Sequence, residues 1–274
     1  MSRGLGDVYK RQVTLSRGEN FHTNTDPARQ HYNPAMIEVG GETEQGTVSS
    51  LILTHIILDD MGKYEGEYFV QADSEGDGET TVSRSEVPNT SIVQDAIIAT
   101  YNGMGTITLG DGAELRNYGG MSAVRLSGGE LIMEEGSAIL DTTENEREKG
   151  ASGSFGPAGA VWLQGGILTM NGGTIGGDKG VMMNGRALYA DGGTANIGGT
   201  IQNIHGTDAA WQGQNGVAVH LRSHGEATLA STGEITNVTG TNAGNNCAIW
   251  THFCNFTTKA GSKISHVDGF QLLY

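Results

Sequence analysis

The chain has 274 residues, with 31 acidic and 16 basic side chains and a formal net charge of −15 at pH 7. This charge argues against nucleic acids and anionic lipid surfaces as partners, because both attract basic patches. The sequence contains 44 glycines and 4 prolines, and no continuous apolar run is long enough to span a membrane. We therefore expect a chain without membrane insertion whose turns are rich in glycine.

The first part of the chain is predicted to contain little regular structure. Residues 1–12 lack the apolar stretch of a signal peptide and resemble translated read-through at the end of an open reading frame, so we expect them to be non-native. Residues 13–47 show weak patterning and are predicted to be an irregular lead-in. Alternating apolar residues predict strands from residue 48 onward. An acidic insertion is expected near 59–94, where Arg84 occupies a position that needs glutamate in a calcium loop.

Six copies of a short motif follow, each starting with alanine. The steps between them are 27, 37, 27, 31 and 30 residues, and the alanines are Ala96, Ala123, Ala160, Ala187, Ala218 and Ala248. Each copy carries two further apolar stretches, one at Ile107, Leu131, Leu168, Ala195, Ala227 and Phe256, the other at Leu115, Ile139, Ile175, Ile201, Ile235 and Ile264. Repeats this short leave no room for a crossover helix. They predict an all-β solenoid, a parallel β-helix of about six to eight coils spaced about 4.8 Å apart.

The predicted β-helix covers residues 48–274. The step of 37 residues holds an insertion near 142–157, which is polar apart from Phe155 and is predicted to form a surface loop. At the other end, the chain stops at Tyr274, where another coil would begin without a polar cap. Since solenoids need caps at both ends, we expect the C-terminus to be truncated.

Alternation within the alanine motif predicts an inner and an outer face. The second and fourth places should point into the rod, at Val124, Leu126, Val161, Leu163, Val219 and Leu221. The first and third places should point outward, and the third place reads Ile98, Arg125, Trp162, Tyr189, His220 and Trp250. Two residues further on come Thr100, Ser127, Gln164, Asp191, Arg222 and His252.

This outer face is the predicted ligand site. Flat rings flanked by polar side chains suit stacking against sugars, so the candidate ligand-binding residues are Trp162, Gln164, Tyr189, Asp191, His220, Arg222, Trp250 and His252. The alternative is that aromatic residues simply favour strands and stack on one another between coils.

A second polar column lies two residues after the third apolar position. It contains Asn117, Asp141, Gly177, Asn203, Asn237 and His266. We expect a ladder of hydrogen bonds along the rod, and we predict no metal site and no cofactor, because His and carboxylate residues are not clustered at metal-ligand spacing. The two cysteines, Cys247 and Cys254, flank one strand, which favours free thiols over a disulfide.

Two segments resemble a known family. The stretches 160–166 (AVWLQGG) and 168–175 (LTMNGGTI) resemble pectin-lyase-like right-handed β-helix repeats, most of all those of large surface proteins of gut bacteria. The resemblance covers about Val48 to Phe270 and implies a right-handed β-helix that is extracellular or displayed on a bacterial cell surface. It is specific for fold rather than activity, since lyases, glycosidases and adhesins share the architecture.

Catalytic signatures are weak. Enzymes of this fold that cleave polygalacturonate carry Asn-Thr-Asp, Asp-Asp and His-Gly motifs. Here Asn24-Thr25-Asp26 and Asp59-Asp60 stand in the wrong relation to the coils, while His205-Gly206 and His224-Gly225 fall in separate turns. No paired carboxylates of the kind that glycoside hydrolysis needs were found. We therefore assign no catalytic residue.

The functional prediction is a surface or adhesion β-helix that binds a polysaccharide or host glycan on its outer stripe, with a non-enzymatic role favoured. One alternative is a fragment of a carbohydrate-active enzyme, a polysaccharide lyase or glycoside hydrolase. A second alternative is an ice-binding solenoid, which would need a regular Thr-x-Thr array, whereas Thr106-Ile107-Thr108 is isolated in the sequence.

Overall fold

The computed structural model describes residues 13–16, 35–40, 49–59, 68–71, 82–85, 96–100, 104–116, 122–140, 159–177, 183–184, 186–206, 216–240 and 247–273. The predicted read-through segment 1–12 and the predicted loop 142–157 lie outside these ranges. Strands are the regular elements of the described residues, and a search of these residues found no helix long and apolar enough to cross a membrane.

Three parallel sheets form the rod. Sheet I contains β2 (Ala35–Val39), β7 (Ala96–Thr100), β10 (Ser122–Leu126), β13 (Val161–Leu163), β17 (Arg186–Asp191), β20 (Val217–Arg222), β23 (Cys247–Thr251) and β26 (Phe270–Leu273). Sheet II contains β3 (Ser50–Leu53), β8 (Thr106–Leu109), β11 (Glu130–Met133), β14 (Ile167–Met170), β18 (Thr194–Ile197), β21 (Glu226–Leu229) and β24 (Asn255–Thr258).

Sheet III completes each turn of the chain. It contains β1 (Val13–Ser16), β4 (Ile56–Asp59), β9 (Glu114–Arg116), β12 (Ala138–Leu140), β15 (Thr174–Gly176), β16 (Met183–Asn184), β19 (Thr200–Gly206), β22 (Glu234–Gly240) and β25 (Lys263–Val267). The chain visits sheets I, II and III in turn and returns to sheet I one strand further along. This is a right-handed parallel β-helix, as predicted. In the described part of the chain, the seven strands of sheet II correspond to seven complete coils, within the predicted range.

The predicted register is confirmed in most coils. Leu131 pairs with Ile107 on one side and Leu168 on the other, and the third apolar positions form a continuous ladder from Leu115 to Ile264. The six residues predicted to point into the rod from sheet I are fully buried: Val124, Leu126, Val161, Leu163, Val219 and Leu221. Since each ladder puts like residues side by side, one apolar core runs along the axis.

The first alanine motif is shifted by one residue from the prediction. Ile98 pairs with Val124 and Ala99 pairs with Arg125, so Ile98 faces inward and Ala99 takes the outer position. Thr100, predicted to be outward, is 3% exposed and pairs with Leu126. The four consecutive apolar residues of this strand, 96–99, are compatible with two strand registers when only the sequence is considered. The observed register buries both isoleucines of this strand completely, whereas the predicted one left one of them outside.

The alanines of the motif do not point outward, contrary to the prediction. All six are fully buried, and the last five, from Ala123 to Ala248, belong to the apolar core together with the aliphatic residues that follow them. In the ladder between β17 and β20, pairing passes from Arg186 and Val217 to Leu188 and Val219 without a pair at the alanines. Two consecutive residues facing the core mean that strict alternation is interrupted there, and the small alanine side chain fits this position.

The lead-in and the first insertion contain strands. Within residues 13–47, which were expected to be irregular, β1 pairs with β4 and β2 pairs with β7, so both extend the sheets of the rod. Within the predicted insertion near 59–94, β5 (Tyr68–Gln71) and β6 (Val82–Ser85) pair antiparallel in a separate two-stranded sheet. The weak sequence pattern of β1 and β2 therefore hid two strands whose partners lie more than forty residues away.

The predicted polar ladder is present from Gly177 to Asn237 at a bend in sheet III, whereas its first two members, Asn117 and Asp141, lie outside the described residues. Asn203, Asn237 and His266 have φ angles of 56°, 54° and 52°, in the left-handed region that asparagine tolerates better than most residues. The Asn237 side-chain amide donates to Asn203 Oδ1 at 2.7 Å, and Asn203 donates to the Gly177 carbonyl at 3.2 Å. These bonds join neighbouring coils at the bend, so the column has a structural role.

Glycine is required at a turn where two coils stack closely. Gly129, between sheets I and II, has a φ of +76°, and a Cβ atom built there would lie 2.2 Å from the Gly105 carbonyl oxygen of the preceding coil. No side chain fits at that distance, since real Cβ contacts are far longer. The turn therefore needs glycine for both its backbone angle and its spacing.

Candidate functional site: the outer face of sheet I

The outer face of sheet I carries a column of rings held in ladder register. Arg125 pairs with Trp162, Trp162 with Tyr189, Tyr189 with His220, and His220 with Trp250. We call these five residues the ring column. Parallel strands keep equivalent residues at one strand spacing, about 4.8 Å, so successive side chains are forced into contact.

The rings contact one another with different geometries. The centroids of Trp162 and Tyr189 are 6.4 Å apart, those of Tyr189 and His220 are 5.0 Å apart at 70°, and those of His220 and Trp250 are 4.3 Å apart at 8°. The Arg125 guanidinium carbon lies 5.4 Å from the centre of the Trp162 ring, within cation–π range. The side chains of this column therefore contact one another, as the alternative interpretation of the sequence predicts.

Exposure along the column is uneven, which corrects the prediction of a fully exposed stripe. Trp162 is 7% exposed and His220 is 3% exposed, whereas Tyr189 and Trp250 are half-buried. Among the described residues, Trp162 Nε1 and His220 Nδ1 have no hydrogen-bond partner. The prediction was wrong for Trp162 and His220, because it treated outward-pointing as equivalent to solvent-exposed.

A polar column runs beside the rings, two residues further along each strand. Gln164, Asp191 and Arg222 are half-buried and His252 is exposed; we call these four residues the polar column. Arg125 Nε donates to Gln164 Oε1 at 2.8 Å, and Arg222 Nη1 donates to the Tyr189 hydroxyl at 3.3 Å. These bonds fix the positions of polar groups that remain partly accessible to solvent.

Positive charge dominates the neighbourhood of His220. Burial, together with the charges of Arg186, Arg222 and His252, lowers the pKa of His220 from 6.5 to about 2. His220 is therefore a neutral imidazole throughout the physiological pH range, and it is unsuited to act as a general acid. Burial also raises the pKa of the Cys247 thiol to about 12, against the opposing effect of Arg186, so this thiol is protonated and unreactive.

Two residues near the column were missed by the sequence prediction. Arg186 is 5% exposed, and its guanidinium carbon lies 5.5 Å from the centre of the Tyr189 ring. The sequence signal for Arg186 was a charged residue at a strand position that Val217 occupies in the neighbouring coil. The second is Phe253, which follows the polar column in the last turn and has its ring centroid 4.6 Å from that of His252.

The polar column combines side chains of different charge. The polar column contains one carboxylate, Asp191, whereas glycoside hydrolysis uses a pair. Groups of three or more His, Cys, Asp or Glu residues that could hold a metal ion do not occur among the residues described. Both cysteines are free, with Cys247 buried and Cys254 partly buried.

One further concavity lies at the C-terminal end of the rod. A cleft of about 450 Å³ is lined by residues that include Ala227, Phe256 and Leu272. Phe256 pairs with Ala227, and Leu272 pairs with Ile249, in the inward-facing ladders. This cleft is therefore an end of the core and is separate from the ring column.

Fold and site together define a class: an all-β parallel solenoid with an outward column of rings and arginines on one sheet. No family model, curated protein or solved structure matches the chain. The resemblance to pectin-lyase-like repeats thus stays a prediction from the sequence, and the assignment to a parallel β-helix rests on the strand pairing.

Proposed function

We propose that this protein is an extracellular or surface-displayed β-helix of the pectin-lyase-like type that binds a glycan on the outer face of sheet I. The observation that carries the proposal is the ladder that places the ring column beside the partly accessible polar column. Sugars combine apolar ring faces with many hydroxyl groups, so proteins bind them with aromatic rings and fixed polar side chains side by side.

The accessible part of this face is smaller than the whole column. Trp162 and His220 are buried. Their role is to support Tyr189 from both sides, and His220 also supports Trp250 from one side. Hydroxyl groups of the glycan would bond to Asp191, Arg222 and His252, which line the open side. Arginine binds oxygen acceptors at fixed geometry, and its bond to Tyr189 restricts Arg222 before any ligand arrives.

A glycan array tests the proposal. The wild-type protein is compared with Trp250→Ala and Arg222→Ala, two half-buried residues whose loss should weaken binding by about tenfold each. Thr228→Ala, on the outer face of sheet II, is the matched control and should bind like the wild type. Thermal melts establish that each variant is folded.

Two results would overturn the proposal. One is a wild-type protein that binds nothing on the array. The other is binding that survives both Trp250→Ala and Arg222→Ala. Turnover of a uronic-acid polymer by the wild type would instead support the enzyme alternative, and Arg125, Asp191 and Arg222 would then be the first residues to replace.

A further inference from the structure

A phenylalanine at the turn after β23 stands out from its surroundings. Phe253 is 91% exposed, the largest exposed fraction of any large apolar side chain in the described part of the chain. Its φ angle is 56°, in the left-handed region that bulky side chains rarely adopt. Exposure and backbone conformation both disfavour phenylalanine at this position.

Other coils show what the turn itself requires. The register of sheet I places Phe253 level with Gly128, Gly165, Gly192 and Ser223. The register of sheet II places it level with His224 in the coil of Ser223, because that turn is one residue longer. Three of these four coils use glycine, and the fourth has Ser223 and His224, both exposed. The turn therefore forms without an aromatic side chain, and packing within the rod does not account for Phe253.

A sugar needs a free ring face, and the ring column offers few. Trp250 and His220 are parallel with centroids 4.3 Å apart, so each covers a face of the other. Phe253 touches His252 at 36° between ring planes, and its exposure leaves the rest of the ring open to a ligand.

We propose that Phe253 is the stacking residue for the glycan, with the apolar face of one pyranose lying on its ring. His252, beside it, and Arg222, on the preceding coil, would bond the hydroxyl groups of that sugar. The glycan then meets the rod at the β23 turn and crosses the coil there, rather than following the ring column along the axis. This inference rests on the proposed glycan binding.

The test is a substitution that should maintain or raise the stability of the fold and weaken glycan binding. Phe253→Gly restores the residue of three other coils, so its melting temperature should equal that of the wild type or rise by up to about 4 °C. The probe is the polysaccharide that the wild type binds on an array of neutral and acidic glycans. The affinity of Phe253→Gly for this polysaccharide, measured by titration calorimetry, should fall by about tenfold. Phe253→Tyr should retain binding.

The controls separate the possible outcomes. Ile52→Ser removes an apolar side chain that is 68% exposed on sheet II, and it should leave binding unchanged. Phe253→Ser, which introduces the residue that Ser223 provides in the preceding coil, repeats the test if the glycine variant folds poorly. Wild-type affinity in both Phe253→Gly and Phe253→Ser, with Arg222→Ala impaired, would overturn the role of Phe253 and leave the proposed function standing. A wild type that binds no glycan would overturn both.

Discussion

The two faces of sheet I differ in how much their side chains vary from coil to coil, although both belong to the same strands. The inner column reads Val124, Val161, Leu188, Val219 and Ile249, all aliphatic and at most 2% exposed. The ring column beside it changes chemistry at every coil, from arginine to tryptophan, tyrosine and histidine. Stacking imposes uniformity inside, because each coil must fit its neighbours at interior density. On the outer face, the same strand pairing aligns side chains of any chemical type.

The largest effect should come from placing a charge in the inner column. Val161→Asp puts a carboxylate at a fully buried position without a partner, which should destabilise the protein by more than ~4 kcal/mol and abolish cooperative unfolding. Gln164→Asp introduces the same side chain in the polar column and should cost less than about 1 kcal/mol. Thermal unfolding followed by circular dichroism measures both. Equal losses would show that the two faces do not differ as described.

A methyl group at the tight turn of Gly129 should have the next largest effect. In Gly129→Ala the Cβ would lie 2.2 Å from a carbonyl oxygen of the preceding coil, so we expect a loss of roughly 2–4 kcal/mol from strain and crowding. Gly112→Ala is the matched control, since its φ of +68° is similar but the nearest atom lies 3.3 Å away; it should cost about 1–2 kcal/mol. Urea unfolding gives both values. No difference between them would mean that coil spacing is not limiting there.

His220 links the ring column to a pH-dependent stability. Its pKa of about 2 in the folded protein lies below the usual 6.5 of the unfolded chain, so protons bind preferentially to the unfolded state as pH falls below 6.5. Stability is therefore complete above that pH and is lost below it by up to ~1.4 kcal/mol per pH unit. His220→Phe keeps the stacking on Trp250 and removes this contribution. Urea unfolding at pH 7 and pH 5 should show a smaller loss in the variant, and identical losses would refute the neutral buried imidazole.

The smallest effect is expected at the asparagine ladder. Asn237→Ala removes the bond to Asn203 and places alanine at a φ of 54°, which should cost about 2 kcal/mol. Asn237→Gly loses the hydrogen bond but adopts the angle easily, so it should cost about 1 kcal/mol. Thermal melts of the two variants separate the bond from the backbone. If glycine proved as harmful as alanine, the backbone angle would not be the reason for asparagine.

The local sequence pattern was sufficient for a correct prediction of these positions, where the repeat was clear. The inward positions from Val124 to Leu221, the ladder from Leu115 to Ile264 and the bonds between Asn203 and Asn237 followed from aligning the repeats, because equivalent positions of successive repeats form a column once coils stack. The prediction erred at Ile98, where four consecutive apolar residues allowed two registers. It also missed β1 and β2, whose patterns were too weak to reveal strands with distant partners.

The sequence by itself determined that this chain coils into a parallel β-helix and that the side chains from Arg125 to Trp250 share its ring column, since both follow from aligning the repeated motifs. The tertiary structure decided how much of each outward side chain reaches solvent. Burial of Trp162 and His220, the position of Arg186 and the openness of Phe253 depend on what neighbouring coils and turns place around them. No alternation pattern carries that information, because alternation predicts at most the direction of a side chain, wrongly so at the alanines, and not what surrounds it.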